Sequence, residues 1–118
     1  MSKNDHILTL PLKLKTYNTF LKRLKGLMFQ RKPIKNEAII LEPCNSIHMF
    51  FMFFPIDVVF LDQENRVVKV KENVKPWTVI FPVKNAYKTI EMPVGSIREY
   101  GIRVGCVVGF DIEKGQPM

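Results

Sequence analysis

The stretch that decides the fold is PCNSIHMFFMFFPIDVVFLD, residues 43–62, in which apolar side chains run almost without interruption. Its aromatic and β-branched residues favour pleated structure. Pro55 divides it into two predicted strands, residues 47–54 and 56–61, because proline lacks the N–H that a strand interior needs. The stretch is not predicted to span a membrane, because a spanning helix needs about 20 apolar residues without a central acid or proline, and this stretch contains Pro55 and Asp57.

Shorter β-type segments precede and follow this stretch, separated by turn residues at near-regular spacing. Residues 7–14 alternate as a strand does but contain Pro11, which suits the edge of a sheet. One amphipathic helix is predicted after them, capped by Thr16 or Thr19 and ended by Gly26. The other predicted elements are strands at residues 37–41, 66–70, 77–81, 87–92 and 106–112, and a helical turn at 96–100. About seven short strands and one N-terminal helix predict a single mainly β domain over residues 1–118, a small sandwich or a partly open barrel.

The positive charge of the chain is concentrated in its N-terminal third. The formal net charge of the 118 residues is +7, yet residues 1–35 hold nine Lys or Arg and only one acid, Asp5. Residues 36–118 hold nine cations and ten acids. A basic segment can bind nucleic acid or an anionic surface, but residues 1–35 show no phosphate loop and no arginine-rich cluster. Nucleic-acid binding is therefore not the favoured role, although an electrostatic adaptor that works through residues 1–35 stays an alternative.

Composition favours a cytoplasmic globular protein. With 47% hydrophobic residues the chain can bury a core. Residues 1–15 lack the unbroken apolar segment and the cleavage site of a signal peptide, which predicts that the protein is not exported. Cys44 and Cys106 are then expected as free thiols, because the cytoplasm keeps thiols reduced.

Three blocks of the sequence resemble the uncharacterised prokaryotic family called domain of unknown function 192. The first is RLKGLMF at residues 23–29, and the second, the most specific, is the 43–62 stretch itself. The third joins VKPW at 74–77 to EMPVGS at 91–96, and the turn GIRVG follows at 101–105. The resemblance runs from about residue 20 to residue 112. It implies a compact, mainly β, jelly-roll-like domain and no agreed reaction.

Three residues depart from the pattern of that family. Met49 stands where threonine is usual, Phe53 where arginine or lysine is usual, and Cys106 where aspartate usually follows the turn glycine. The first two departures weaken any site that would use that hydroxyl or that cation. The favoured interpretation of the Phe-rich segment is a central core strand. The alternative, a phenylalanine that faces outward in place of a cation, predicts an exposed apolar patch of Met49, Phe51 and Phe53, which is typical of a protein partner surface or an oligomer contact.

Cys44 and His48 invite two chemical hypotheses. Thiolate and imidazole, with the Met52 thioether, suit a soft metal ion, and a thiol activated by imidazole and oriented by Asp57 suits nucleophilic catalysis. Residues four apart in a strand are separated by about 13 Å, at ~3.3 Å per residue. Cys44 and His48 therefore meet only if residues 43–48 fold back as a loop, which the turn-forming residues in that segment permit.

We expect instead a non-enzymatic binding or accessory module, and we predict neither a metal nor a cofactor. Its ligand, a small molecule or a peptide, would contact the loop of residues 44–48 together with Trp77. The predicted ligand-binding residues are Cys44, Asn45, Ser46, His48, Asp57 and Trp77. His48 would serve as a donor or an acceptor, and Asp57 is also expected to accept backbone N–H groups at a bend. An enzyme or a metal-binding protein that uses Cys44 and His48 is the alternative.

Overall fold

The computed structural model describes residues 7–17, 35–49 and 52–109, and these residues fold mainly as β-structure. The described strands are β1 Ile7–Thr9, β2 Lys13–Tyr17, β3 Glu37–Leu41, β4 Ile47–His48, β5 Ile56–Leu61, β6 Val67–Val74, β7 Val79–Ile80, β8 Lys88–Met92 and β9 Val107–Gly109. One short helix, α1 Ser96–Glu99, lies between β8 and β9. The predicted N-terminal helix falls outside the described residues except for Thr16, which lies in β2 and is therefore not a helix cap. In the described ranges, no helix has the length and apolar character needed to cross a membrane.

Five strands form the main sheet, in the order β2-β3-β8-β5-β6. β2 and β3 are parallel, and the other neighbouring pairs are antiparallel. β8 lies at the centre, where Ile90 is opposite both Ile40 of β3 and Val59 of β5. Every residue of β5 is buried, because other parts of the protein cover both faces of the sheet. The apolar run that predicts this strand is thus explained by its interior position.

The main sheet separates two apolar cores. Successive residues of a strand point to opposite faces, so each strand contributes alternate side chains to each core. The face that packs against α1, which we call the α1 face, includes Ile40, Val59, Ile90 and Ile97. The opposite face, which we call the β4–β7 face, includes Ile39, Val58, Phe60, Ile47 and Ile80.

Two small sheets accompany the main one. β4 and β7 pair in antiparallel fashion, and β1 and β9 pair in parallel. Among the described residues an antiparallel bridge of Arg66 with Val107 links β9 to the start of β6, but the three sheets do not close into one barrel. The prediction of a mainly β domain is confirmed.

Pro11 marks a change of sheet. The predicted strand 7–14 is in fact two strands, because β1 ends before the proline and β2 begins after it. β1 pairs with β9, whereas β2 forms an edge of the main sheet. The missing N–H of the proline therefore falls between two ladders rather than inside one.

Of the described residues in the predicted strand 47–54, only Ile47 and His48 form a strand, β4. The Met52 N–H donates to the Met49 carbonyl at 3.3 Å, so the chain turns at this point. Met49, Met52 and Phe54 are all buried in the core of the β4–β7 face. A straight strand would direct Met49 and Met52 to opposite sides, whereas the turn places both in one core.

Phe60 is the largest of the fully buried side chains and belongs to the core of the β4–β7 face. We expect Phe60→Ala to lower the free energy of unfolding by about 3–5 kcal/mol, because a packed aromatic ring is lost. Urea denaturation measures this loss. Phe81→Ala is the control, since Phe81 is 78% exposed and its loss should change stability by less than about 0.5 kcal/mol. Equal losses in the two variants would contradict the assignment of Phe60 to the core.

Candidate functional site

Cys44 holds the bend at residues 42–46 against the start of β8. Its N–H donates to the Tyr87 carbonyl at 2.7 Å, and its carbonyl accepts a hydrogen bond from the Thr89 hydroxyl at 3.0 Å. Its thiol donates to the Ser46 carbonyl at 3.0 Å. The side chain is half-buried and packs against the core of the β4–β7 face. The hydrogen bond of the thiol therefore goes to a neighbouring carbonyl rather than to His48.

The two cysteines lie on opposite faces of the main sheet. Cys44 packs on the β4–β7 face and Cys106 on the α1 face, and neither forms a disulfide. The expectation of free thiols is confirmed. Within residues 7–17, 35–49 and 52–109, no three His, Cys, Asp or Glu side chains are grouped in a way that could hold a metal ion.

Three apolar side chains on and beside β7 are exposed. Trp77 is 59% exposed, Val79 40% and Phe81 78%, whereas Ile80 is buried in the core. Val79 and Phe81 are alternate residues and share one side of the segment, Trp77 lies in the turn before them, and we call these three side chains the apolar stripe. Only Val79–Ile80 of the predicted strand 77–81 has strand geometry, because Trp77 adopts a positive φ of 68° in a turn.

His48 lies directly beside the apolar stripe. It is opposite Val79 in the antiparallel ladder of β4 and β7, so the two side chains share a face of this small sheet. His48 and Ser46 are half-buried, and Asn45 is exposed. Polar side chains from β4 and the loop before it therefore accompany the exposed apolar row.

Backbone hydrogen bonds join the 44–48 loop to the segment that bears the apolar stripe. The Met49 N–H donates to the Thr78 carbonyl, and the Trp77 N–H donates to the Met49 carbonyl, both at 2.7 Å. The Val83 N–H donates to the Asn45 carbonyl at 2.8 Å. These bonds bring the loop and Trp77 into one unit, although the two are about 30 residues apart in the sequence.

The predicted partner surface is only partly exposed. Met49 is fully buried, because the turn at Met52 directs its side chain into the core, so for Met49 the core interpretation is right and the alternative of an exposed patch is wrong. Phe53 is 52% exposed, in agreement with the expectation for that position. Phe51 lies outside the described residues.

Val79 and Phe81 were predicted only as strand residues, and their exposure was not predicted. The pattern WTVIF at residues 77–81 is the signal that indicates it, because its apolar residues fall on both sides of a short extended segment. Such a segment cannot bury every apolar side chain unless both of its faces are covered.

The carboxylate of Asp57 is buried and accepts three backbone hydrogen bonds. Oδ1 accepts from the Asn73 N–H at 2.8 Å, and Oδ2 accepts from the Gly95 N–H at 3.1 Å and the Ile97 N–H at 2.9 Å. Gly95 has φ of +95°, a conformation that glycine adopts without steric cost. Asp57 thus accepts backbone N–H groups as expected, but its carboxylate faces α1 and lies apart from His48 and the apolar stripe. The structure therefore does not bring it together with the other predicted site residues.

Glu91 is a buried carboxyl to which the sequence analysis assigned no role. It lies in β8, is only 6% exposed, and is opposite Ile39 and Val58, which belong to the core of the β4–β7 face. Its Oε1 atom has no hydrogen-bond partner in the described part of the chain. Burial raises the pKa of Glu91 to about 7, because apolar surroundings disfavour the charged form. The sequence signal is an acid between Ile90 and Met92 in a predicted strand.

We expect Asp57→Asn to lower the free energy of unfolding by about 2–4 kcal/mol, because the amide NH₂ of asparagine faces N–H donors and leaves buried groups unsatisfied. Thermal or urea denaturation measures the change. Asp62→Asn is the comparison, since Asp62 Oδ1 also accepts two N–H groups, from Glu64 and Arg66, but in a solvent-exposed turn. Asparagine keeps that oxygen, so we expect less than about 1 kcal/mol there. A neutral effect of Asp57→Asn would contradict the assigned role.

Glu91 makes stability depend on pH in a defined direction. The ordinary pKa of 4.5 applies in the unfolded chain, and the folded pKa is about 7, so between these values the folded state holds a proton that the unfolded state has lost. The free energy of unfolding should therefore fall as the pH rises from about 4.5 to about 7, by at most ~1.4 kcal/mol per pH unit, and fall no further above that. We expect Glu91→Gln to reduce this pH dependence of the free energy of unfolding. Glu64→Gln, at an exposed turn, should leave the pH dependence unchanged. An unaltered pH dependence in Glu91→Gln would exclude Glu91 as its source.

Sequence comparison relates the chain to uncharacterised proteins. It matches the family "Uncharacterized ACR", domain of unknown function 192, over residues 2–110. A UPF0127 protein of Thermococcus kodakarensis is 40% identical over 103 residues, which cover 83% of this chain and 64% of that protein. A UPF0127 protein of Pyrococcus horikoshii is 42% identical over 83 residues, which cover 66% of this chain and 70% of that protein. The chain thus spans less than two thirds of the length of the Thermococcus kodakarensis relative.

Two solved structures have the same fold. A protein of unknown function from Novosphingobium aromaticivorans superposes with a TM-score of 0.70 at 24% identity, covering 80% of this chain and 71% of that one. A protein from Sinorhizobium meliloti superposes with a TM-score of 0.71 at 18% identity, covering 80% of this chain and 78% of that one. At these identities the likeness supports the fold alone. The sequence match over residues 2–110 is what decides the family: the chain belongs to domain of unknown function 192, a family of small uncharacterised domains.

Proposed function

We propose that this domain is a binding module, and that its ligand is an extended peptide segment of a partner protein that carries acidic and apolar side chains. The observation that carries the proposal is the apolar stripe of Trp77, Val79 and Phe81, which is exposed beside His48. Exposed apolar patches on soluble domains mark contact surfaces more often than isolated exposed side chains do.

The spacing of the apolar stripe suits an extended ligand. Val79 and Phe81 stand on alternate residues, about 6.6 Å apart at ~3.3 Å per residue, which is also the spacing of alternate side chains in a bound extended peptide. Full burial of one large apolar side chain contributes about 1.5–3 kcal/mol. Three partly exposed side chains therefore offer several kcal/mol before the cost of association is subtracted, so the stripe alone supports only weak binding, on the order of millimolar or weaker, and polar and charged contacts must add to it.

The charges around the apolar stripe favour an acidic partner. The two segments that carry the loop and the stripe, residues 43–49 and 73–90, contain no Asp or Glu. Lys75 and Lys84 are exposed on the segment that bears the stripe. A second copy of this chain would bring like charges together across the contact, which costs free energy. An acidic peptide is therefore favoured over self-association.

Polar groups beside the stripe suit the backbone of an extended peptide. The amide of Asn45 and the imidazole of His48 each offer a donor and an acceptor, and Ser46 lies between them in the chain. Cys44 keeps this loop in position through its bonds to Tyr87 and Thr89. We therefore assign Cys44 a positioning role. The residues that would contact the peptide directly are Asn45, Ser46, His48 and Trp77.

We also propose a cytoplasmic location, which rests on the two free thiols. A jelly-roll-like arrangement of the sheets is likewise a proposal, and it rests on the family resemblance. The enzymatic or metal-binding alternative through Cys44 and His48 and the electrostatic adaptor through residues 1–35 stay predictions from the sequence.

Trp77 is the only tryptophan in the chain, so its fluorescence reports directly on the apolar stripe. We expect a seven-residue peptide that alternates Glu with Val and Phe to shift the emission of Trp77 to shorter wavelength, because binding removes water from the indole. The same peptide with Lys in place of Glu should bind at least about tenfold more weakly, since its charge repels Lys75 and Lys84.

Variants separate the stripe from the rest of the surface. We expect Val79→Ser and Phe81→Ser each to weaken the acidic peptide about tenfold or more, a loss of ~1.4 kcal/mol. Val104→Ser is the control, because Val104 is 62% exposed but lies in the turn before β9. Unchanged affinity in both stripe variants, or equal binding of the two peptides, would overturn the proposal. A dimer in sedimentation that Phe81→Ser abolishes would assign the stripe to a second copy and overturn it too.

A further inference from the structure

A second concave surface lies on the opposite side of the main sheet. It is a cavity of about 290 Å³ beside α1, with an apolar part formed by Leu12, Pro93 and Val94. Leu12 and Ile97 of α1 belong to the core of the α1 face, whereas Ile80 of β7 belongs to the other core. The cavity is therefore separated from the apolar stripe by the whole sheet. Its volume is at the small end of the range for ligand sites, about 300–1,000 Å³.

One wall of this cavity is held by hydrogen bonds. The Ser96 hydroxyl donates to the Pro93 carbonyl at 2.6 Å, and the Ser96 N–H donates to the same carbonyl at 3.1 Å. The Gly95 and Ile97 N–H groups on either side are bonded to the Asp57 carboxylate. A wall fixed in this way costs little entropy when a ligand binds.

Two opposite charges line the cavity without neutralising each other. Lys35 and Glu99 both contribute to the lining and both are exposed. Among the described residues, the ion pairs Lys15–Glu37, Lys88–Glu42 and Arg98–Glu72 involve neither Lys35 nor Glu99. The cavity therefore presents one cation and one anion that do not pair with each other, next to apolar side chains.

We infer that this cavity binds a small zwitterion with an aliphatic body, the chemistry of a free aliphatic α-amino acid. The ammonium of Lys35 pairs with the ligand carboxylate, and the carboxylate of Glu99 pairs with the ligand ammonium. The aliphatic part packs on Leu12, Pro93 and Val94. Neither charge of the ligand is left without a partner, which is the requirement for taking a zwitterion out of water.

Tyr100 supplies a further polar group at the same cavity. Burial and the nearby Glu99 carboxylate raise the pKa of the Tyr100 phenol, so the hydroxyl keeps its proton at neutral pH and can donate to a ligand oxygen.

The test uses L-leucine as the probe and follows the backbone amide signals of the full chain by NMR. We expect L-leucine to shift the signals of Ser96 and Tyr100 with a dissociation constant in the millimolar range or below, as suits a ligand of this size. L-leucinamide lacks the carboxylate and N-acetyl-L-leucine lacks the ammonium, so each should bind about tenfold more weakly or worse.

Two variants assign the charges individually. Lys35→Gln should weaken L-leucine about tenfold but leave the weak binding of leucinamide unchanged, and Glu99→Gln should weaken L-leucine but not N-acetyl-leucine. Lys69→Gln and Glu64→Gln, at exposed positions away from the cavity, should bind L-leucine as the natural chain does. No shift of Ser96 and Tyr100 up to about 20 mM L-leucine overturns the inference. Equal binding of all three probes, or shifts confined to residues 77–81, overturns it as well.

Discussion

A carboxylate buried in an apolar interior must be surrounded by donors, and in this protein the donors of Asp57 come from segments that are distant in sequence. The Asn73 N–H comes from β6, and the Gly95 and Ile97 N–H groups come from the connection into α1. The carboxylate therefore ties β5, β6 and α1 to one point. A helix of four residues has no stability of its own, so these bonds and the burial of Ile97 are what hold it in place. The same hydrogen bonds to Asp57 fix the wall of the cavity beside α1, because Gly95 and Ile97 flank Ser96, which lines that cavity.

The main sheet sets the positions of the two proposed binding surfaces and keeps them independent. The apolar stripe and its polar neighbours lie over one face, where β4 and β7 cover the core, and the charged cavity lies over the other, beside α1. Because β8 is at the centre of the sheet, both faces are built on the same strand, with Ile90 on one side and Glu91 on the other. The proposed peptide and the proposed zwitterion would therefore not compete with each other, since neither site reaches the opposite face.

Local patterns predicted strands well where one strand is buried on both faces and poorly where the chain turns. Strands 37–41 and 56–61 are found where the apolar runs predict them, because an interior strand needs apolar residues at every position. The run at 47–54 has the same composition, yet it turns after β4, because the Met49 carbonyl accepts hydrogen bonds from Met52 and Trp77. No pattern within eight residues distinguishes these two outcomes, since Trp77 is supplied by a segment far along the chain.

The sequence by itself determined the mainly β class, most of the strands, the family and the expectation that Asp57 binds backbone N–H groups. Only the tertiary structure decided which apolar side chains are exposed and which titratable groups are buried. Met49 is buried whereas Trp77 and Phe81 are exposed, and Glu91 is buried between Ile39 and Val58. The physical reason is that a side chain's exposure depends on what packs over it from elsewhere in the chain. Residue type and alternation define the two sides of a segment, but long-range contacts determine which side meets water.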